Sequence, residues 1–335
     1  MAYTFDQQVF CLNTLSNLSN GYNGSASQIA AQANTSINNV LNDPGVQSLI
    51  GNWSLVWGPV VVAAEGKALN TMYIAHNADT NQHVVAIAGT DSKSVLDWLL
   101  EDFYVIQKVD WPYSPHLTPM PMMSKGTSIG LSYLVGMAVD NNGTHVHARD
   151  YLQSVSATDI TVCGHSLGGA LSPAYALYLN DTRGTWAQGR VVKISCQPAA
   201  GATPGDKAFS DYYTNQLGAN TKRVWNAHDV VPHAFQIDML NQIKHLFEPH
   251  LNTPLAIKAA IDAIMLVVAN KGYTQLMPAV PGFDAPICNN APDFMGELLC
   301  QHICAYADHF QISGFQAAVQ QVLGLPHPFF TDGCN

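Results

Sequence analysis

Gly164-His165-Ser166-Leu167-Gly168 sets a serine between two glycines, directly after the β-branched run Ile160–Cys163 and directly before the apolar stretch Ala170–Leu177. The order predicted is strand, sharp turn, helix, with the serine at the turn. Such a turn needs neighbours without side chains, and it lifts the serine oxygen clear of the sheet. The N-terminus of the following helix then presents unpaired N–H groups to any negative charge developing on a bound carbonyl. The chemistry implied is nucleophilic catalysis by Ser166, with the developing oxyanion held at the helix N-terminus.

A serine needs a base, and the base needs a group to orient it. Where the serine sits on this kind of elbow, an acid and then a histidine follow it in chain order, at the ends of later strands. Asp229 meets the first requirement: in Arg223-Val224-Trp225-Asn226-Ala227-His228-Asp229 it stands just past the next predicted strand. Open α/β sheets place their functional loops at such strand ends. Among the 13 histidines, His302, His309 and His327 come late enough to be the base. Chain order alone does not rank them.

The elements around these residues read as follows. Two N-terminal helices are predicted, Phe5–Leu18 and Ala26–Leu41, then strands at Val60–Ala64, Thr71–Ala75 and Val84–Ala88. The turn-forming Asn77–Asn81 makes the second and third strands an antiparallel hairpin. A loop over Trp111–Met123 carries four prolines, which exclude regular structure. From residue 127 helices and strands alternate: helices at Ser128–Val139 and Val146–Val155, the elbow strand, helix Gly169–Leu179, strand Val191–Cys196, helix Lys207–Gln216 and strand Lys222–Trp225. Alternation of this kind builds a parallel sheet with helices on both faces. Residues 1–335 are read as one domain, with residues 235–270 a helical excursion and Phe315–Leu323 a closing helix.

Composition narrows the function classes. Charged residues are only 11% of 335 and net charge is −10, which argues against nucleic acid and against electrostatic docking on anionic membranes. No apolar run is long enough for a transmembrane segment; Ile257–Ala269 is short and carries Lys258 and Asp262. The first residues show no signal peptide as written, so the chain is cytosolic, exported another way, or given from its mature end. Of seven cysteines, Cys163 and Cys196 fall in predicted central strands and read as small buried apolar residues. Cys11, Cys288, Cys300, Cys304 and Cys334 are free to pair, which is compatible with an oxidising compartment.

Four blocks together resemble the class 3 lipases, the group of the filamentous-fungal triacylglycerol lipases. They are Val84–Thr90 with Asp97-Trp98 downstream, Gly164–Ala170, Cys196–Gly201, and Arg223–Pro232. The resemblance implies an α/β-hydrolase, a mostly parallel central sheet with helices on both faces and N-terminal helices. It implies a secreted lipase cleaving acylglycerol esters through an acyl-enzyme, meeting a lipid–water interface and needing no cofactor. Ser166 is then the nucleophile and Asp229 the triad acid, while Thr90 and Leu167 form the oxyanion hole. Ala307-Asp308-His309-Phe310 before the last helix resembles the family's histidine loop, which makes His309 the expected base. Three departures stand out: Ala88 where the family has arginine, Ser195-Cys196 where it has an aromatic–glycine pair, and Ser128–Leu131 where it has a histidine.

Rival readings run beside this one. Feruloyl and short-chain esterases share the family, an acyltransferase would pass the same acyl group to another alcohol, and a non-catalytic hydrolase-fold protein would only bind. Cys288, Cys300, His302, Cys304 and His309 can be drawn as a zinc site, although C-x-H-x-C is not a common ligand spacing. Residues 91–104 carry the stripe Val95, Leu99 and Phe103, which suits a lid over the site or an ordinary helix on the core. Met120, Met122 and Met123 could line an adaptable acyl groove or fill gaps. Oligomeric state is not readable.

Overall fold

The computed structural model describes residues 2–89, 105–114, 116–288, 291–327 and 329–331. Thr90 and the lid candidate 91–104 lie outside these. The central sheet has five strands in the order β1 (Trp53–Ala64), β2 (Lys67–Asn77), β3 (Gln82–Ile87), β4 (Asp159–His165) and β5 (Lys193–Ala199). β1–β2 and β2–β3 pair antiparallel, whereas β3–β4 and β4–β5 pair parallel. The chain has the α/β-hydrolase fold, with its parallel character confined to one half of a mixed sheet. The expected hairpin is present, with Asn77 opposite Gln82. The strand expected at Lys222–Trp225 is reduced to parallel bridges from Cys196 to Thr221 and from Ala199 to Val224.

β3 and β4 are buried along nearly their whole length, which is why both read as continuous Val, Ile, Ala and Thr rather than as an alternating pattern. One face is covered by helices α3 (Lys125–Gly136) and α4 (Leu167–Asp181), through Ile74, Val85, Val162, Leu131 and Leu171. The other is covered by α1 (Phe5–Ser16) and α2 (Ala26–Leu41), through Val9, Leu12, Ile37, Tyr73, Val84 and Ala86. Thr4 and Ser25 each close a capping box at the start of these two helices, fixing where they begin. The reading missed a short helix at Pro44–Ile50, capped by Asp43, although Asp-Pro is a helix-start signal.

Two further differences have local causes. The predicted helix from Val146 begins only at Ala148, because Thr144–His147 pairs with Ala138–Asn141 around the turn Asn142-Gly143. The proline-rich loop is closed by a small ladder between Lys108–Asp110 and Met122–Ser124, and Trp111 anchors it through Nε1 donating 2.7 Å to Asp181. Met123 is buried in the core here, so it fills space rather than lining an exposed groove. Residues 237–268 hold two helices, Ile237–Ile243 and α5 (Leu255–Val268), in a third apolar cluster that touches Leu167 and Val230. α5 is the most apolar helix, yet no described helix is long and apolar enough to cross a membrane.

Candidate active site

Ser166 sits between the end of β4 and the first residue of α4, at φ 61° and ψ −122°. Non-glycine residues rarely adopt a positive φ, and one held there marks strain fixed by its surroundings. Close backbone approach explains the flanking glycines. A Cβ on Gly164 would fall 2.0 Å from the Gly168 carbonyl oxygen, and one on Gly168 would fall 2.3 Å from that of Ile87. The Ser166 N–H donates to the Ala199 carbonyl at the end of β5, tying the elbow to the sheet. Leu167 opens the helix, so its own N–H has no partner within it.

Asp229 caps the short helix Val230–His233, its Oδ1 accepting from the Val231 N–H at 3.0 Å. Its carboxylate is fully buried, and two more donors converge on it. His302 Nδ1 lies 2.9 Å from both oxygens, and the Tyr306 hydroxyl donates to Oδ2 at 2.8 Å. Burial, reinforced by the Asp229 charge, pushes the Tyr306 phenol pKa well up, so it stays a donor. The other ring nitrogen of His302, Nε2, lies 2.8 Å from Ser166 Oγ. Ser166, His302 and Asp229 thus form one hydrogen-bonded line, with only 3%, 1% and 0% of their surface exposed.

His309, the base expected from the resemblance, is not in that line. Its ring stacks on Phe283 with centroids 4.0 Å apart, and burial lowers its pKa. The physical reason is that no loop exists there. Phe294–Leu299, a π-helical turn over Cys300–Cys304 and Ala305–His309 run on as one helical segment. His302 lies in the π turn, where the Ala305 N–H bonds back to the Cys300 carbonyl, and His309 stands two turns further along. A π turn inside a helix is a frequent mark of a functional site. A tyrosine four residues after a histidine, on one helix face, is the signal in the sequence that could have singled out His302.

The surroundings fix this segment. His165 Nε2 donates 2.8 Å to the His302 carbonyl, and burial, with His302 nearby, holds the His165 pKa well below the ordinary value, leaving the ring neutral. Asn226 Nδ2 donates to the Gln301 carbonyl and to its Oε1, while Gln301 Nε2 donates to the buried Glu297. The cysteines of the zinc alternative are spent otherwise: Cys288 is bonded to Cys300, and Cys304 is disulfide-bonded too. Cys11, Cys163 and Cys196 are buried free thiols. Cys11 therefore packs in the core like the other two. Thr90, expected from the resemblance to be an oxyanion donor, lies outside the described residues; Gly89 precedes it in the chain, and a Cβ on Gly89 would lie 3.1 Å from Ser166 Cβ.

Residues 84–239 match the family model of the class 3 lipases. Among solved structures the chain is similar to the crystal structure of M37 lipase, with TM-score 0.86 and 27% identity, covering 96% of this chain and 98% of that one. It is also similar to the Rhizomucor miehei lipase–propeptide complex, with TM-score 0.49 and 18% identity over 71% of this chain and 66% of that one. No match is found among curated protein sequences.

Proposed function

From the match of residues 84–239 to the class 3 lipase family model and the likeness of the whole chain to M37 lipase, we propose that the chain is a lipase or related ester hydrolase of that family and that it cleaves acylglycerol esters through a covalent acyl-serine. Ser166 Oγ attacks the ester carbonyl carbon while His302 Nε2 takes its proton. Asp229 holds the imidazole by Nδ1 and balances its charge once protonated. The carbonyl oxygen becomes an oxyanion facing the N–H of Leu167 and the donors of Thr90. Collapse of this adduct expels the alcohol, which leaves with the proton from His302. Water then attacks the acyl-Ser166 ester with His302 again as base, and the carboxylic acid departs.

The observation that carries this reading is the unbroken line from Ser166 Oγ through His302 to Asp229 at 2.8 and 2.9 Å. The disulfides around Cys300 and Cys304 support an extracytoplasmic location. The experiment is a hydrolysis profile over p-nitrophenyl esters from short to long chains and over emulsified triacylglycerol, with Ser166→Ala as the blank. Activity that grows with chain length and with emulsion supports a lipase. Activity confined to short soluble esters replaces it with an esterase, and turnover in Ser166→Ala overturns the nucleophile.

A further inference from the structure

We propose that Asn17 and Asn20, two asparagines of the N-terminal helical arm outside the segment matched to the family, are positioning residues for the oxyanion hole. The inference rests on the reading above, in which Thr90 supplies an oxyanion donor. β3 ends at Ile87, and the next residues, Ala88 and Gly89, lead straight to Thr90. The Ala88 N–H is still taken by Thr71, the neighbouring strand residue. Gly89 has left the ladder, and both of its backbone groups are taken by side chains of this arm instead. Asn17 Oδ1 accepts from the Gly89 N–H at 2.9 Å, and Asn20 Nδ2 donates to the Gly89 carbonyl at 3.2 Å. One turn earlier, the fully buried Asn13 donates from Nδ2 to the Ile87 carbonyl at 3.1 Å.

Residues 13, 17 and 20 fall at i, i+4 and i+7 and so share one face of the arm. This face is polar where a helix packed on a sheet is ordinarily apolar. Asn13 Oδ1 is buried without a partner among the described residues, a cost that folding alone does not require. The amide of Asn17 is itself aimed: its Nδ2 donates to the carbonyls of Asn13 and Thr14, which turns Oδ1 toward Gly89. The clamp closes on the residue that also abuts the nucleophile, since a Cβ on Gly89 would meet the His165 carbonyl at 2.8 Å. The arm thereby fixes Gly89, the residue before Thr90 in the chain, against the nucleophile elbow. An oxyanion donor is effective only when it is already in place as charge develops, and small misplacements are costly.

Asn17→Ala and Asn20→Ala test this. With a soluble p-nitrophenyl ester, kcat should fall about 10- to 100-fold in Asn17→Ala and less in Asn20→Ala, below the ~10²- to 10³-fold of a lost donor. KM should hold within about twofold. The inhibition constant of an acyl trifluoromethyl ketone, whose adduct with the serine carries the oxyanion, should rise by the factor that kcat/KM falls. A purely structural role would lower melting temperature and active fraction, measured by active-site titration, without moving kcat per titrated site. Should Asn17→Ala not fold, Asn20→Ala, on the half-exposed turn, is read by the same three measurements. Full kcat per site, or a fall in kcat with an unchanged ketone constant, overturns the inference while an inactive Ser166→Ala leaves the nucleophile standing. Turnover surviving in Ser166→Ala overturns the reading beneath it.

Discussion

Replacing His302 by alanine removes, in one side chain, the proposed acceptor of the Ser166 proton and a donor to Asp229. Loss of a triad base costs about 10⁴- to 10⁶-fold in kcat. The stability cost follows from the surroundings of Asp229. The carboxylate is fully buried and keeps two of its three donors, the Val231 N–H and the Tyr306 hydroxyl. Leaving a buried acceptor short of a partner costs about 1–3 kcal/mol, the upper end suiting a charged group. At about 2.1 cal/mol/K per residue, the unfolding entropy of 335 residues is ~0.7 kcal/mol/K, so ~3 kcal/mol lowers the melting temperature by ~4 °C. His309→Ala is the matched control. It loses a ring stacked on Phe283, worth about 0.5–1.5 kcal/mol, and should keep activity within about threefold. Initial rates on a soluble p-nitrophenyl ester and calorimetric melting of both variants supply the data. An inactive His309→Ala, or more than about 1% of wild-type kcat in His302→Ala, would refute the assignment of the base.

Gly168→Ala should destabilise by about 1–3 kcal/mol or more, because its Cβ would sit 2.3 Å from the Ile87 carbonyl oxygen; urea unfolding measures the loss. The double variant Cys288→Ala, Cys300→Ala opens a crosslink spanning 12 residues, worth about 3 kcal/mol, and should melt ~4 °C lower with reduced kcat, as reductant should do to the wild type. Burial and the adjoining His76 lower the pKa of His83 to about 4, from 6.5 in the unfolded chain. The unfolded state therefore takes up this proton first: the stability is complete above pH 6.5 and is lost as pH falls through that window toward 4. Melting curves across this range should fall less steeply for His83→Leu than for the wild type, and identical slopes would contradict the shift.

The elbow was legible because everything it needs is local. Strand, glycine, serine, glycine and helix lie within about 20 residues, and the close approaches at Gly164 and Gly168 leave few alternatives. Asp229 was legible for the same reason, standing just after a segment of strand character. The base was not. His302 and His309 are both on one helical segment, and what selects between them is how that segment docks. Asn226 on Gln301, His165 on the His302 carbonyl and Tyr306 on Asp229 make that choice, and all three are contacts between residues more than 70 apart. The weak fourth parallel element at 221–224 was overestimated because its residues have strand propensity, yet its pairing with β5 amounts to single bridges. The Asn17–Gly89 contact was equally out of reach, since asparagine in a helix reads as a surface or capping residue until its partner is known.

The dependence of the base on docking gives the chain an order of maturation. Ser166 and Asp229 are supplied by the sheet and its edge, and both lie in the chain before about Val231. His302 arrives near the end of the polypeptide, on a turn whose two bounding cysteines are both oxidised. A chain ending before residue 302 carries all five strands and Ser166, and still has no histidine to stand where His302 stands. Appearance of activity therefore requires this C-terminal segment to have docked. A refolding experiment that starts from reduced protein and follows ester turnover beside tryptophan fluorescence should see the two separate in time, with sulfur oxidation setting the slower clock.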